Sequence, residues 1–426
     1  MQLQHEKLSS SLREAIKRAT AWVAKKARND GHWCGELKAN ATLTAEHISL
    51  LGALGIFISS PNEWIKWLLA NQHDDGSWGL AANLPGEIST SVEAYFALKL
   101  LGQSPEHATM RRAQQFITSA GWIEKVRIFT RFNLAIFGLY PWSAVPELPP
   151  EHLQHILVGA FHCRSVDDRT PSRALLPANS WYPDLDDTAA AIIAHAKQTP
   201  SSVNKWVVTN AIEWIMGMQN KDGGCDAFDY EINKEFFNKI PFSDMDSMCG
   251  PSTADVTGRI LEALGLLLKI GTETASYEVS ASLESRMRET ATRAIKYLES
   301  EQESFGAWFG RWGVNYTYGT SNVLCGLAYW ETNLDVTRND TVYMMIDDGV
   351  RWLVKAQQSH GGWGECFETY KDISLAGTGP VSATYSAWAI MGLLTRLVPS
   401  KPAITEEIVF LLSRQVTEGE VGRNMG

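Results

Sequence analysis

Three aspartates within four residues are the strongest chemical signal in the chain. The segment WYPDLDDT places carboxyl groups at Asp184, Asp186 and Asp187. Because like charges this close disfavour ionisation, at least one of these carboxyl groups should have a raised pKa and stay protonated near neutral pH. A group of that kind can donate its proton to a weakly basic substrate, so the spacing allows an acid catalyst.

The same segment also fits the start of a helix. Asp184 and Asp187 precede the helical run AAAIIAHA at the spacing of an N-terminal cap, where acids favour the helix dipole. A cap explains Asp186 less well. Asp255 raises the same choice, because it follows Ser252 by three residues and so fits a capping box. Spacing alone leaves both interpretations open.

An internal repeat supplies the elements that must position these acids. Each copy has an amphipathic stretch, a Gln, a polar loop, a Gly-x-Trp and a second apolar stretch. Gly lets the loop turn, Trp covers the preceding helix, and the Gln amide ties loop backbone groups together. The copies contain Gln72, Gly76 and Trp78; Gln219, Gly223 and, in place of Trp, Cys225; Gln302, Gly306 and Trp308; Gln358, Gly361 and Trp363; and Gln415 with Gly419.

Hydrophobic periodicity predicts an all-α fold with few strands. Apolar residues recur at helical spacing, as in Val207, Ala211, Trp214, Ile215 and Met218. Stacked helix pairs form an α/α barrel or an open solenoid, and a tie in every repeat favours the barrel. We predict an N-terminal barrel block over 1–150, a proline-rich linker over 151–180, and a catalytic block over 181–426.

Composition excludes several classes of protein. Hydrophobic residues make up 45% and charged residues 20%, which excludes a disordered chain. The net charge of −10 argues against a nucleic-acid partner. Six scattered cysteines without a CxxC argue against a zinc site or a disulfide framework and fit an intracellular location. We expect neither a secretory signal nor a transmembrane helix.

The repeats and the Asp-x-Asp-Asp-Thr segment together resemble the class II terpene cyclases, specifically the squalene–hopene cyclase family. TSVEAYFALKLLG, PSTADVTGRILE and WFGRWGVNYTYGTSNVL carry the same resemblance. It implies an α/α toroid that protonates a terminal double bond of squalene or a related polyene and drives carbocation cyclisation to a hopanoid-type triterpene. It implies no metal or organic cofactor. The isoprenoid polyene is the expected partner, and peripheral membrane contact and a homodimer are allowed.

The resemblance also assigns roles by position. Asp186 matches the proton donor, Asp184 and Asp187 flank it, and Asp255 matches an acid of the supporting hydrogen-bond network. The positions matched to substrate contacts or to the final deprotonation are Trp312, Tyr318, Phe242, Phe309 and Glu46. Aromatic faces stabilise carbocations without acting as nucleophiles.

Without the resemblance, the same positions have simpler explanations. Trp312 and Tyr318 suit a hydrophobic core, and Glu46 suits a solvated helix surface. Outside the family, a glycoside-active α/α barrel or a non-catalytic helical-repeat protein remains an alternative.

The sequence departs from the family at several points. Arg259 stands where the family has a histidine against the acid, and Phe228 replaces a cavity tyrosine. The family has further repeats where this chain has residues 151–180, and it continues beyond the position of Gln415. These departures predict either an incomplete, inactive toroid or a compact enzyme for a shorter prenyl substrate.

Overall fold

The computed structural model describes residues 2–26, 40–56, 60–80, 84–146, 184–198, 205–228, 230–231, 250–273, 279–331, 339–399 and 401–415. The predicted linker and Phe242 lie outside these ranges. Within them the α-helices are α1 (Gln2–Lys26), α2 (Ala41–Ala53), α3 (Pro61–Ala70), α4 (Ile88–Leu100), α5 (Ala108–Ser119), α6 (Ile128–Ile136), α7 (Leu185–Gln198), α8 (Lys205–Gly217), α9 (Ala254–Glu273), α10 (Ala281–Glu301), α11 (Tyr316–Leu327), α12 (Asp340–Ala356), α13 (Ala383–Leu393) and α14 (Pro402–Arg414).

The described part of the chain contains no β-strand, only isolated bridges such as Gly364 to Val381. The predicted all-α fold is therefore confirmed. Of the predicted helical face in α8, the residues after Val207 are all buried, namely Ala211, Trp214, Ile215 and Met218. None of the helices in the described ranges is both long enough and apolar enough to span a membrane.

The helices form two compact units. The first contains α1 and α7 to α14, and the second contains α2 to α6. In the first unit α7, α9, α11 and α13 pack side by side in that order, and α8, α10, α12 and α14 form a second row against them. In the second unit α2 packs mainly against α4. Helix α1 thus groups with the C-terminal helices, although it precedes the second unit in sequence.

The loop of each repeat is built as the sequence predicts. The indole nitrogens of Trp78, Trp308 and Trp363 each donate to a carbonyl ten residues earlier at 2.8 Å, which seals the loop on its preceding helix. The Gln302 amide nitrogen donates to the Gly306 carbonyl at 2.9 Å and to the Met345 carbonyl at 3.1 Å. Met345 lies on α12, the next helix of the second row. Each repeat is therefore tied to its neighbour by one side chain.

Glycine is required where these loops turn. Gly76 has φ +88°, in the left-handed region, and a Cβ there would lie 2.5 Å from the Arg112 carbonyl oxygen. Any other residue would meet both backbone strain and a backbone clash at this position. This close approach brings α5 within reach of the Gln72 amide, which donates to the Thr109 carbonyl at 3.0 Å.

One predicted position in the repeat was wrong by a single residue. Gln357, not Gln358, makes the tie, because its amide nitrogen donates to the carbonyls of Gly361 at 2.8 Å and Ala403 at 2.9 Å. Gln358 donates instead to the Gly379 carbonyl at 2.8 Å. The tying Gln always precedes the loop Gly by four residues, and only Gln357 fits that spacing.

The last repeat ties the two ends of the described chain together. The Gln415 amide nitrogen donates to the Ala15 carbonyl at 2.9 Å, and Arg18 donates to the Gln415 side-chain oxygen at 2.6 Å. Helix α1 therefore follows α14 in the second row of helices and accepts the hydrogen bond of its glutamine.

Candidate active site

The three clustered aspartates occupy different environments at the start of α7. Asp184 is the helix cap, since its Oδ1 accepts from the Asp187 backbone N–H at 2.9 Å. Burial is the main cause that raises the pKa of Asp184. The Asp187 side chain is exposed, whereas only 22% of the Asp186 side chain is exposed. The cap interpretation is correct for Asp184 and leaves Asp186 without a capping role.

Among the described carboxyl groups, Asp186 has the pKa that is shifted furthest from its ordinary value. Burial raises its pKa to about 6, nearby Asp255 and Asp184 add to the rise, and the charge of Arg259 opposes it. Arg259 Nε donates to Asp186 Oδ1 at 2.5 Å. Asp186 Oδ2 accepts no hydrogen bond from the described residues. Near pH 6 a large share of Asp186 is therefore protonated, with one oxygen left for another partner.

Asp255 is fully buried one turn before Arg259 on α9. Its Oδ2 accepts from the backbone N–H groups of Arg311 and Trp312, both at 3.0 Å, and its Oδ1 accepts from Val256 at 3.0 Å. It therefore fixes the loop that carries Trp312 next to the helix that carries Arg259.

The capping box that Ser252 and Asp255 could have formed does not form. Ser252 Oγ donates to Asp222 Oδ1 at 2.9 Å, and no hydrogen bond joins Ser252 to Asp255 within the described structure. Asp255 therefore bonds both the first turn of its own helix and the loop that carries Trp312.

Three of the predicted aromatic residues, Tyr318, Trp312 and Phe309, lie in the described part of the first unit. The Tyr318 side chain is buried on α11, and its hydroxyl oxygen accepts from Arg259 Nη2 at 3.4 Å. Trp312 is 46% exposed and packs edge-on against Phe228 at 5.5 Å between centroids. Phe309 packs edge-on against Tyr370 at 5.7 Å. Arg259 thus joins Asp186 to Tyr318, Asp255 holds the backbone of Trp312, and Phe309 lies three residues before Trp312 on the same loop.

Glu46 lies in the second unit within a network of its own. Arg127 Nη2 contacts Glu46 Oε1 at 3.3 Å and both oxygens of Glu93 at 3.1 and 3.2 Å. The Thr130 hydroxyl also donates to Glu93 Oε1. Burial raises the pKa of Glu93, and the charge of Arg127 and the Thr130 hydrogen bond oppose that rise.

Sequence reasoning missed Arg127 and Thr130 in the second unit, and two further members of these networks as well. Glu93 is an acid inside the apolar run Val92–Phe96, and that position alone could have marked it. Asn322 lies four residues after Tyr318, so both face the same side of α11, and its Oδ1 accepts from Arg259 Nη2 at 3.2 Å. Helical spacing from Tyr318 was the available signal.

Acidic and sulfur-bearing residues in the described ranges do not form a metal site. No group of three or more His, Cys, Asp or Glu side chains there is placed to hold a metal ion. Burial raises the pKa of the Cys225 thiol, which replaces Trp in its repeat. Cys225 therefore behaves as an inert core residue.

Two protein-family models match consecutive parts of the chain. Residues 16–155 match the squalene-hopene cyclase N-terminal domain, and residues 158–425 match the squalene-hopene cyclase C-terminal domain. The two matches meet inside the proline-rich stretch.

Individual relatives agree with the family models. Squalene hopane cyclase afumA of Aspergillus fumigatus is 30% identical over 91% of this chain and 82% of its own. Squalene–hopene cyclase of Zymomonas mobilis is 24% identical over 97% of this chain and 91% of its own. Enfumafungin synthase efuA of Hormonema carpetanum is 29% identical over 96% of this chain, which spans 46% of that protein.

The alignments also show that the chain is shortened internally. In the alignment with the Aspergillus protein, 91% of 426 residues, about 388, are spread over 611 positions, so about 220 positions have no counterpart here. With the Zymomonas protein, about 413 residues are spread over 625 positions. Both domain models match despite this shortening. The chain belongs to the squalene–hopene cyclase family.

Proposed function

We propose that this chain is a class II terpene cyclase in which Asp186 protonates a terminal double bond of an isoprenoid polyene. Squalene is the first candidate substrate and a hopanoid-type triterpene the product. The observation that carries this proposal is the state of Asp186: a mostly buried carboxyl group with a pKa of about 6 whose Oδ2 has no described hydrogen bond.

The protonation step follows from this state. The π electrons of the terminal double bond take the proton of Asp186, which leaves a tertiary carbocation on the polyene and a carboxylate on Asp186. Further double bonds then attack in turn, and each attack moves the positive charge to the next ring. Loss of a proton from the last carbocation ends the cascade, so no metal ion or redox partner is needed for the balance.

Aromatic side chains are proposed to stabilise the charge as it moves. Trp312 and Phe309 are partly exposed on the loop that Asp255 holds, and an aromatic face contributes about 0.5–2 kcal/mol to binding a cation. We assign Tyr318 to the support of the acid through Arg259. Phe242 and Glu46 keep their predicted roles at the substrate and at the final deprotonation.

The environment of Asp255 supports a single acid over a pair of carboxylates. A glycoside hydrolase uses two carboxyl groups as acid and as base or nucleophile. Asp255 accepts backbone N–H bonds on both oxygens and is fully buried, so it is committed to holding the loop. The site therefore fits proton donation by Asp186 alone.

The internal shortening favours a second candidate substrate. A polyene shorter than squalene needs a smaller cavity, and more than 200 aligned positions of the family have no counterpart here. We propose that squalene and a C20 polyene be offered side by side, with the products separated by gas chromatography and identified by mass spectrometry. Cyclic products from wild type but not from Asp186→Asn would support the proposal. No product from a correctly folded wild type would contradict it.

We also propose peripheral contact with membranes, because the substrate is lipid-soluble. Three leucines of the α2 segment, Leu43, Leu50 and Leu54, are each more than half exposed. Apolar side chains exposed on one segment are typical of an interfacial surface. Flotation with phosphatidylcholine vesicles tests the contact, and light scattering tests whether the chain forms the homodimer that the family resemblance allows.

A further inference from the structure

Arg259 joins Asp186 of α7 to two side chains of α11. Its Nε donates to Asp186 Oδ1 at 2.5 Å, and its Nη2 donates to Asn322 Oδ1 at 3.2 Å and to the Tyr318 hydroxyl oxygen at 3.4 Å. Because the guanidinium is a rigid plane, bonds at both ends fix its orientation.

We propose that Arg259, held by Asn322, is a positioning residue that confines the acidic proton of Asp186 to Oδ2. The inference rests on the proposed function. An arginine only donates hydrogen bonds, so Oδ1 must act as the acceptor and the carboxyl hydrogen must sit on the other oxygen. The hydrogen bond from Arg259 to Oδ1 thereby sets the direction in which the proton leaves.

Arg259 cannot take part in the proton transfer itself. Its guanidinium stays protonated at every relevant pH, and the neighbouring Asp186 charge raises the Arg259 pKa further. Asp186 is therefore the member of the pair that titrates. After proton transfer, the Asp186 carboxylate lies beside a permanent cation, which stabilises it and lowers its tendency to attack the carbocation.

Asn322 is suited to an arginine at this position. Its side chain is 7% exposed, its Oδ1 faces the guanidinium, and its Nδ2 has no hydrogen-bond partner among the described residues. The opposite amide orientation would set a donor against a donor. Arg259 and Asn322 therefore act as a matched pair, and removing either should loosen the other.

The charged and titratable groups around Asp186 define the expected pH effect. Asp184 and Asp187 lie on its own helix, Asp255 and Arg259 on α9, and Tyr318 on α11. Of these groups Arg259 carries the positive charge, and that charge lowers the Asp186 pKa. Its loss leaves the neighbouring carboxylates unopposed, so the Asp186 pKa rises.

The first test measures the Asp186 pKa directly, without substrate. Carbon-13 labelled aspartate is followed by NMR against pH, and the signal absent from Asp186→Asn identifies the residue. In wild type it should titrate near pH 6. In Arg259→Gln the midpoint should move up by about one pH unit or more, and in Asn322→Leu by a smaller amount in the same direction.

The matched control is Ser321→Ala, next to Asn322 on the same helix. Ser321 is buried and donates to the Thr317 carbonyl at 2.7 Å, without a contact to Arg259. This variant should leave the midpoint unchanged. If Arg259→Gln fails to fold, Arg259→Lys retains the charge without the planar fork, and its midpoint should lie between those of wild type and Asn322→Leu.

The second test follows cyclisation against pH. The acid must be protonated, so the wild-type rate should fall as pH rises through about 6. In Arg259→Gln this fall should move to higher pH while the maximal rate drops about tenfold or more, because the conjugate base is less stabilised. A purely structural role would lower the rate without moving the fall.

The outcomes separate the inference from the proposed function. An unmoved Asp186 midpoint in folded Arg259→Gln and Asn322→Leu overturns the role of Arg259. Full cyclisation by Asp186→Asn overturns the proposed function, whatever Arg259 does. Inactivity of Asp186→Asn together with a moved midpoint in both variants supports both.

Discussion

Each unit of the molecule holds a buried carboxyl group against an arginine, and the two differ in how completely the carboxyl is bonded. Glu93 in the second unit uses both oxygens, with Arg127 on each and the Thr130 hydroxyl on one. Asp186 in the first unit uses Oδ1 alone. Burial raises the pKa of both groups. A raised pKa therefore does not by itself mark an acid catalyst; an oxygen left for the substrate does.

The largest expected effect is the loss of catalysis without loss of fold. Asp186→Asn keeps the size of the side chain but removes the proton, so we expect cyclisation to fall by about 10³-fold or more. The exposed acid Asp347, paired with Arg351 on one helix face, provides the control. Asp347→Asn should stay within about twofold of wild type. The rate of product formation at pH 6 is measured for both variants. An equal loss of rate in Asp186→Asn and Asp347→Asn would contradict the role of Asp186 as the acid.

The second expected effect is a pH-dependent stability. Because the folded-state pKa of Asp186 lies above its ordinary value of 3.8, the folded protein binds more protons between pH 4 and pH 6 than the unfolded chain. Wild type should therefore lose stability relative to Asp186→Asn as pH rises through this range, by up to about 3 kcal/mol. Above about pH 7, where Asp186 is ionised in both the folded and the unfolded state, the difference should stay constant. Urea unfolding of both proteins at several pH values measures this difference. A wild type that instead lost stability relative to Asp186→Asn as the pH fell would contradict the prediction.

The fully bonded carboxyl group predicts a different consequence. Thr130→Val removes a donor to Glu93, and Arg127→Met removes its cation, so each leaves buried charge less compensated. We expect each variant to destabilise the second unit by about 1–3 kcal/mol. The loss should shrink at acidic pH, where Glu93 is protonated more readily than an ordinary glutamate.

Hydrogen exchange of the second unit can confirm that the loss is local. Protection should fall in α4 and α6, which carry Glu93 and Thr130, and stay unchanged in α9 and α11 of the first unit. Equal loss of protection in both units would mean that the Glu93 network is not confined to its own unit.

The sequence was sufficient for the helices and for the loops of the repeat, because these depend on local patterns. Hydrophobic periodicity and the Gln…Gly-x-Trp loop predicted the helix pairs. Asp186 was singled out as the candidate acid because a helix cap explains Asp184 and Asp187 but not a third carboxyl group. Asn322 was not predictable in the same way. Its contact with Arg259 joins residues 63 positions apart, and no local pattern indicates which helices face each other.

The grouping of α1 was missed for a similar reason. Helix α1 precedes the second unit in sequence but is bonded through Ala15 to Gln415, 400 residues away. Contiguity along the chain assigned it to the N-terminal block.

The smallest expected effect concerns two adjacent glutamines that differ, as Asp186 and Glu93 do, in how fully they are bonded. Gln357 Nε2 donates to two carbonyls and joins α12 to α14, whereas Gln358 Nε2 donates to one. Gln357→Leu should therefore lower the unfolding free energy by about 1–2 kcal/mol, and Gln358→Leu by about 0.5–1 kcal/mol. Urea midpoints of the two variants measured side by side decide the matter. If Gln358→Leu cost more, the spacing of four residues from Gln to Gly would not define the tie.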